Sequence, residues 1–308
     1  MPVRESISRK CIIGLFVALI TASASQAFGA LTDDQRQRAQ QVVDRVNLYR
    51  KLSGLLPVTL DENLSDGCFK HAHYLDIQPN LKLSLDIHNE DPTQPGYTPE
   101  GQLAGLTSDI TLFSGSSASE GGTRSVEFDY NSLYHRTPII GKDLLTIGYG
   151  DNAGGQSKFR ITLLRFGQFS SAHNLLTPPP NSAGIRCSGG GKEVPPPTPK
   201  FGTKSGNPIV AYFFDSGPVV WVNSTVTVKG KKMTHTVIAP NKPVNPSYEG
   251  NLICLITDKP FPKKSTVQVS IDYTESGVAK NVSWSFQTSA KGDFDPIAAA
   301  ASPAANAP

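Results

Sequence analysis

Apolar residues recur with a helical period along the first part of the chain. The first such stretch predicts a helix over residues 32–54. Its apolar positions are Ala39, Val42, Val43, Val46 and Tyr49. Thr32 and Gln35 have the spacing of a capping box at its start, and Gly54 supplies its stop. The sequence therefore defines both ends of this helix.

Two more helices and two strands are predicted before residue 170. The helices cover residues 63–77 and 123–134. The strands cover residues 144–150 and 159–166, and a Gly-rich turn joins them. Helices next to a short sheet predict an α+β domain. The segment from 101 to 122 is rich in Gly and Ser, which predicts a flexible rim of the kind that carries ligand specificity.

From Ile209 onward the apolar period changes to two. The predicted strands cover residues 209–214, 219–228, 252–257, 266–273 and 282–286. Alternation in VQVSIDY and VSWSFQT is typical of half-buried strands, so an antiparallel β-sandwich is predicted. The closing WSFQT resembles the last strand of bacterial immunoglobulin-like modules.

Composition divides the chain into segments. We predict a signal peptide over residues 1–27, an α+β domain over 31–172 and an immunoglobulin-like β-sandwich over 207–290. Residues 173–206 are rich in Pro and Gly, which predicts a partly extended linker. The Ala- and Pro-rich residues 291–308 predict a disordered tail.

The first 27 residues have the features of a secretory signal. Basic residues in MPVRESISRK precede the apolar CIIGLFVALI, and Ser25-Gln26-Ala27 provides a small-x-small cleavage site. The apolar stretch is too short to span a bilayer comfortably. Cys11 lies ahead of the apolar core, where it cannot serve as a lipid-attachment cysteine. We therefore expect a secreted or periplasmic protein with no transmembrane anchor.

The remaining composition excludes one class of partner. Cleavage after Ala27 removes three basic residues and one acidic residue, which lowers the formal net charge from +3 to +1. Nucleic-acid binding needs a dense basic face, so no nucleic-acid partner is expected. Three cysteines remain, Cys68, Cys187 and Cys254. In an oxidising compartment we expect one disulfide and one free thiol, with the pairing left open.

The most informative motifs lie between residues 71 and 150. HAHYLD is followed by DIHNEDPTQPGYTPEG, SEGG and YNSLYHRTPIIGKDLLTIGYGD. The ordered set resembles the CAP superfamily (cysteine-rich secretory, antigen 5 and pathogenesis-related proteins), above all its bacterial branch. Ser132, His135 and Arg136 fill the family's Ser-x-x-His-Arg segment, and Gly148 to Gly150 fill its Gly-aromatic-Gly strand. The resemblance implies a three-layer α-β-α sandwich.

The resemblance also implies a polar cleft lined by His88, Glu120 and His135. The family cleft uses two His and two Glu, and the position of the second Glu is Ser132 here, which we include in the cleft. Asp129 lies one helical turn earlier and is a candidate replacement. Imidazoles and a carboxylate of this kind could hold zinc or another divalent cation, with His88 and His135 as ligands.

Three functions are compatible with this set of residues. The first is an exported two-domain CAP protein that binds an extracellular or envelope ligand (lipid, glycan or protein) through the cleft. The second is a metal-assisted hydrolase of peptide or ester bonds, with Glu120 as general base. The third is a structural envelope component with a vestigial cleft. Binding without catalysis is favoured, because the second Glu is missing.

Two other features are interpreted structurally. His71 follows the apolar stripe of the second helix, so it is expected to be a hydrogen-bonded packing residue. The acidic run of Asp86, Glu90 and Asp91 does not fit a calcium loop, and we interpret it as a solvated loop start.

Overall fold

A computed structural model describes residues 31–114, 121–169 and 174–302 of the chain. The predicted signal peptide lies outside these residues. The first part of the fold contains α1 (Asp33–Leu52), β1 (Thr59–Leu60), α2 (Glu62–Asp76), a 3₁₀ helix η1 (Leu85–His88), α3 (Pro99–Thr107), β2 (Ser108–Ser114), α4 (Gly121–Tyr130), α5 (Arg136–Ile139), β3 (Thr146–Asp151) and β4 (Phe159–Phe166).

These elements form three layers around a four-stranded sheet of order β1-β3-β4-β2. One face of the sheet packs on α1 and α4, through residues such as Tyr149 and Leu164. The other face packs on α2 and α3, through Ile161 and Leu163. Neighbouring positions of β4 point to opposite faces, so this strand serves both cores. The α+β class and the α-β-α arrangement predicted from the sequence are confirmed.

The helix and strand predictions hold where capping and period agree. Gln35 N–H donates to Thr32 Oγ1 (3.2 Å) and Thr32 N–H donates to Gln35 Oε1 (2.9 Å), which completes the capping box of α1.

The prediction of a flexible rim over residues 101–122 was wrong in part. Residues up to 107 belong to α3 and residues 108–114 form β2, while residues 115–120 lie outside the described part.

The second part of the fold is built from strands. It contains β5 (Asn174–Thr177), β6 (Ile209–Phe213), β7 (Val219–Val228), β8 (Lys231–Lys232), β9 (His235–Ile238), α6 (Pro246–Glu249), β10 (Leu252–Thr257), β11 (Thr266–Glu275), β12 (Val278–Gln287) and α7 (Pro296–Ala300). Two four-stranded antiparallel sheets result, of order β5-β6-β10-β9 and β12-β11-β7-β8. The predicted all-β character of this region is confirmed.

The sheet β5-β6-β10-β9 is buried on both faces. Ile209, Ala211 and Leu255 face the second sheet. Tyr212 and Cys254, on alternate positions, join the core that contains α1 and α4. Every residue of β6 and β10 is buried. This explains why IVAYF and LICLIT are continuous apolar runs, whereas the other sheet alternates.

Residues 173–206 do not form the extended spacer that their composition predicts. Strand β5 belongs to the sheet β5-β6-β10-β9, and the residues that follow it fold back against the α+β part. Glu193 is 1% exposed and accepts hydrogen bonds from residues 133–135. Pro and Gly here permit a tightly bent path with buried polar anchors, which composition alone does not reveal.

The tail is also more ordered than predicted as far as residue 302. Residues 296–300 form α7, which contacts α1, and Ala299 is fully buried. The ring of Phe294 lies 4.4 Å from that of Tyr49. An Ala-rich stretch has good helix propensity, and α1 gives it a surface to pack on.

The expected disulfide is not formed. Cys68, Cys187 and Cys254 are free and buried, and they lie in three different apolar clusters. Burial raises the pKa of the Cys68 thiol to about 12, so it stays protonated and unreactive at neutral pH. No helix in the described part of the chain is long and apolar enough to cross a membrane.

Candidate functional site

A cavity of about 330 Å³ opens between the α+β part and the segment 186–203. The apolar part of its wall comes from η1, β2 and α4, through Ile87, Ile110, Leu112, Phe113 and Phe128. His88 and His135 also line the cavity, together with three cationic side chains, Arg124, Arg186 and Lys192. None of the described residues that line it is acidic. The structure therefore brings together the two histidines of the predicted cleft.

His88 is fixed by a backbone contact. It ends η1, and its Nδ1 atom donates to the carbonyl oxygen of Gly105 on α3 (2.7 Å). Burial lowers the pKa of His88, and the neighbouring His71 and His135 lower it further. The ring is therefore neutral at pH 7, with Nε2 left as an acceptor.

His135 is fixed by a carboxylate from the other part of the chain. Its Nδ1 atom donates to Glu193 Oε1 (2.8 Å). The same carboxylate accepts the backbone N–H groups of Leu133 (3.1 Å), Tyr134 (2.7 Å) and His135 (3.2 Å). These groups precede α5, so Glu193 satisfies donors that no helical carbonyl can reach. Glu193 thus holds both the His135 ring and the backbone that carries it.

Two buried carboxyl groups lie close to His135. Asp109 is on β2 and Asp129 on α4, and Thr111 Oγ1 donates to Asp129 Oδ1 (3.2 Å). The Oδ2 atoms of both are buried and have no hydrogen-bond partner in the described part of the chain. Burial raises the pKa of Asp109 to about 7, an effect that Glu193 increases and His135 opposes. Burial and the charge of Asp109 raise the pKa of Asp129 well above its usual range.

The charges of these groups determine the state of His135. Burial alone would lower the pKa of His135, but the neighbouring Asp109 and the hydrogen bond and charge of Glu193 raise it to about 10, with a smaller effect from Asp129. His135 is therefore cationic at neutral pH, and His88 is neutral. The cavity presents one imidazolium, one imidazole and three further cations to a ligand.

The other predicted cleft residues have different outcomes. Ser132 follows the end of α4, is fully buried and donates to the Phe128 carbonyl oxygen of that helix (2.8 Å), and it does not line the cavity. Asp129 lies behind the cavity wall beside Asp109. Glu120 lies outside the described residues, so its predicted place in the cleft stays a prediction.

The predicted metal site has little support from the donors that can be placed. No group of three or more His, Cys, Asp or Glu within 31–114, 121–169 and 174–302 is arranged to hold a metal. A metal ligand must be deprotonated, and the carboxylates around His135 favour its protonated form. The set of His88, Glu120 and His135 as zinc ligands therefore remains a prediction.

The interpretation of His71 agrees with the structure, and that of Glu90 does not. His71 is fully buried, with Nδ1 2.8 Å from Glu90 Oε1 and Nε2 2.8 Å from the Ile87 carbonyl oxygen. Glu90 also accepts the Thr98 N–H that begins α3 (3.0 Å). Asp86 and Asp91 are exposed, as expected for a loop start. Glu90 is instead a buried brace between η1, α2 and α3.

Sequence reasoning missed the two carboxylates that matter most to His135. Asp109 is the one acidic residue in the otherwise apolar and hydroxyl-bearing run SDITLF. Glu193 is the one acidic residue in the run GGGKEVPPP. An isolated charge in such a run is a signal for a buried, paired group, because an unpaired one would be costly to bury.

The three-layer fold, with His88 and His135 in one cavity at its side, defines a class of small α-β-α domain. A family model confirms this over residues 43–166, which match CAP, the cysteine-rich secretory protein family. Residues 43–166 thus carry a CAP domain, as the motifs around His88 and His135 predicted. The match ends before β5, so the all-β part lies outside it.

Two solved structures are similar to part of the chain. One is BmVAL-1, at 14% identity, with 46% of this chain and 80% of that chain covered and a TM-score of 0.30. The other is an outer surface protein from Borrelia burgdorferi, at 19% identity, with 46% of this chain and 96% of that chain covered and a TM-score of 0.31. A search of curated proteins finds no match.

Proposed function

We propose that this chain is an exported CAP-domain protein that binds an amphipathic anion in the cavity between its two parts. The observation that carries the proposal is the lining, which combines an apolar wall with cationic groups and no described carboxylate. An acyl or similar apolar chain fits the wall formed by Ile110, Leu112 and Phe128. A carboxylate or phosphate head fits the cationic side.

The cationic side is prepared for an anion before any ligand enters. His135 is protonated at neutral pH and held by Glu193. Arg124 lies over the ring of Phe113, with its guanidinium carbon 5.0 Å from the ring centroid. Among the described residues, Arg186 donates a long hydrogen bond to Ser188 Oγ (3.4 Å) and forms a long ion pair with the exposed Asp293 (3.7 Å). Arg124 and Arg186 can therefore form charged hydrogen bonds to a ligand head without first breaking a short ion pair.

The size of the cavity limits the ligand. At about 330 Å³ it lies at the lower end of the range for small-molecule sites. A single chain with one head group is therefore favoured over a two-chain lipid taken up whole. The cavity is open on one side, so part of a longer ligand would extend outside it.

Binding can be tested with an apolar anionic dye, 1-anilinonaphthalene-8-sulfonate, and a series of twelve-carbon competitors on the purified mature chain. We expect dodecanoate and dodecyl phosphate to displace the dye more effectively than dodecanol, and dodecyltrimethylammonium to be the weakest. Leu112→Trp fills the cavity and should abolish displaceable binding. Leu145→Trp, at an exposed position on the far edge of the sheet, is the matched control.

The head-group preference is tested by Lys192→Gln. This change should weaken dodecanoate and leave dodecanol unaffected, because Lys192 lines the cavity and is exposed to solvent. Equal binding of charged and neutral competitors, or binding that survives Leu112→Trp, would contradict the proposal.

A further inference from the structure

Four exposed leucines lie on the cavity wall and on the helix α3 that contacts it. Leu83 is 40% exposed, Leu85 53%, Leu103 51% and Leu106 56%. Leu83 and Leu85 line the cavity itself. We call these four residues the apolar rim. Scattered exposed leucines are normal on soluble proteins, but a group beside a cavity indicates an interaction site.

A hydrogen bond of the cavity residue His88 connects the two elements beside which the leucines of the apolar rim lie. Leu83 and Leu85 lead into η1, which ends at His88, and Leu103 and Leu106 are on α3. The bond from His88 Nδ1 to the Gly105 carbonyl joins η1 to α3 next to Leu106. A side chain at residue 105 would meet the ring of His71 at 2.4 Å and the carbonyl of His88 at 2.6 Å, so glycine is needed for this close approach. These contacts therefore fix η1 against α3, the two elements beside which the rim lies.

Lysines lie on both sides of the same mouth. Lys82 immediately precedes the rim and is exposed. Lys192 lines the cavity, and it also lines a neighbouring depression together with Lys200 and Lys204. None of these four lysines forms an ion pair with a residue that the structure describes. Two acidic residues lie close to the rim: Asp86 is exposed, and Glu100 on α3 is paired with Lys70 (3.5 Å). With one unpaired carboxylate against four lysines, the net charge of these groups is positive.

We propose that this face docks on an anionic lipid surface, with the apolar rim inserted among the acyl chains and the four lysines at the head groups. Leucine and lysine side by side are the composition that binds the interface of a bilayer, where apolar burial and charge attraction add. The cavity mouth would then open toward the membrane. This inference goes beyond ligand binding, because a surface can be bound while the cavity is empty.

The test is cosedimentation of the mature chain with vesicles of phosphatidylcholine, with and without phosphatidylglycerol. We expect binding to the vesicles that contain phosphatidylglycerol and a loss of binding as salt is raised. Leu83→Ser combined with Leu106→Ser should lower the partition coefficient about tenfold or more, since two leucines that insert into the bilayer are replaced by polar side chains. Each lysine changed to glutamine should lower it about fivefold.

Matched controls come from the opposite edge of the sheet. Leu56 and Leu145 are 74% and 68% exposed, and they flank β1, whereas the cavity adjoins β2. Leu56→Ser combined with Leu145→Ser should leave vesicle binding unchanged, as should Lys51→Gln combined with Lys142→Gln. Circular dichroism verifies that every variant is folded, which these exposed positions favour.

Three outcomes would overturn the proposal: no binding to anionic vesicles, binding that survives the rim changes, or binding lost in the Leu56 and Leu145 control instead. The ligand proposal is tested separately in vesicle-free solution. Leu112→Trp should abolish dye displacement and leave vesicle binding intact, so the two proposals can fail independently.

Discussion

Removal of the Glu193 carboxylate should destabilise the whole protein, although Glu193 lies far in sequence from the CAP motifs. In Glu193→Ala, three backbone N–H groups and the His135 ring lose their acceptor. An unsatisfied buried donor costs about 1–3 kcal/mol. Leu133 is buried, whereas Tyr134 and His135 are half-buried and can regain water. Loss of one partner of a buried charged pair costs about 3–5 kcal/mol, and we expect a total in that range.

Glu193→Gln separates charge from hydrogen bonding. Glu193 Oε1 accepts from Tyr134 and from both His135 donors, so an amide oxygen can replace it there. The amide nitrogen would face the Leu133 N–H, which now bonds to Oε2. We expect a cost of about 1–2 kcal/mol. The His135 pKa should fall, because a negative charge beside it is removed.

Two assays are needed. Urea unfolding followed by circular dichroism gives the free energy of unfolding, and NMR titration of the imidazole gives the His135 pKa. The raised pKa of His135 stabilises the fold fully below pH 6.5, and this contribution is lost as pH rises to about 10. In Glu193→Gln the loss should be smaller. Glu62→Ala, at an exposed ion pair with Arg36, is the control. The reasoning is refuted if Glu193→Ala costs no more than this control, or if Glu193→Gln leaves the His135 titration unchanged.

Three further changes test other contacts. Asp109→Asn should flatten the pH dependence of unfolding between pH 4 and 7, because the raised pKa of Asp109 favours the fold at low pH and this advantage is lost as pH rises to about 7; a curve unchanged from the wild type would contradict the assignment. Arg136→Lys should lower the free energy of unfolding in urea by about 3 kcal/mol or more, because a lysine cannot make all the hydrogen bonds of the guanidinium. The guanidinium donates to Tyr130, Thr177, Asn207 and Pro208. A loss below about 1 kcal/mol would be inconsistent with that network. Thr32→Ala should cost about 1 kcal/mol by removing the cap of α1, measured by thermal unfolding, and no change in stability would show that the capping box is not needed.

The parts of the fold that were predicted from sequence have local signals. The capping box and the apolar period define α1. Alternation of apolar and polar residues defines the strands of the sheet β12-β11-β7-β8. Helix α3 was missed because PEGQLAGLT contains two glycines, and strand β2 was missed because SDITLFS precedes the Gly- and Ser-rich GSSASEGG. A side chain at residue 101 would meet Glu90 Oε1 at 2.5 Å, so this glycine reflects close packing of α3. Composition suggested a mobile loop, and tertiary contact decided otherwise.

Some residues of the candidate site were also predicted from sequence motifs, and others are brought to it only by the tertiary fold. His88 and His135 were found by motif, and both line the cavity. Glu193 could not be assigned to them, because it is 58 residues from His135 and lies in a Pro- and Gly-rich segment. Asp109 and Asp129 belong to different elements that only the sheet and α4 bring together. The two carboxyl groups affect each other's pKa because they are close in the folded structure, and their positions in the sequence do not show this.

The sheet that is buried on both faces limits how this protein can be divided. Its Tyr212 and Cys254 complete the core beneath α1 and α4, and the segment beside it supplies Glu193. A fragment that stops at the end of the CAP match would expose an apolar surface and lose the anchor of His135. Neither part should fold well without the other, and truncation at the end of the CAP match should therefore yield an aggregating fragment.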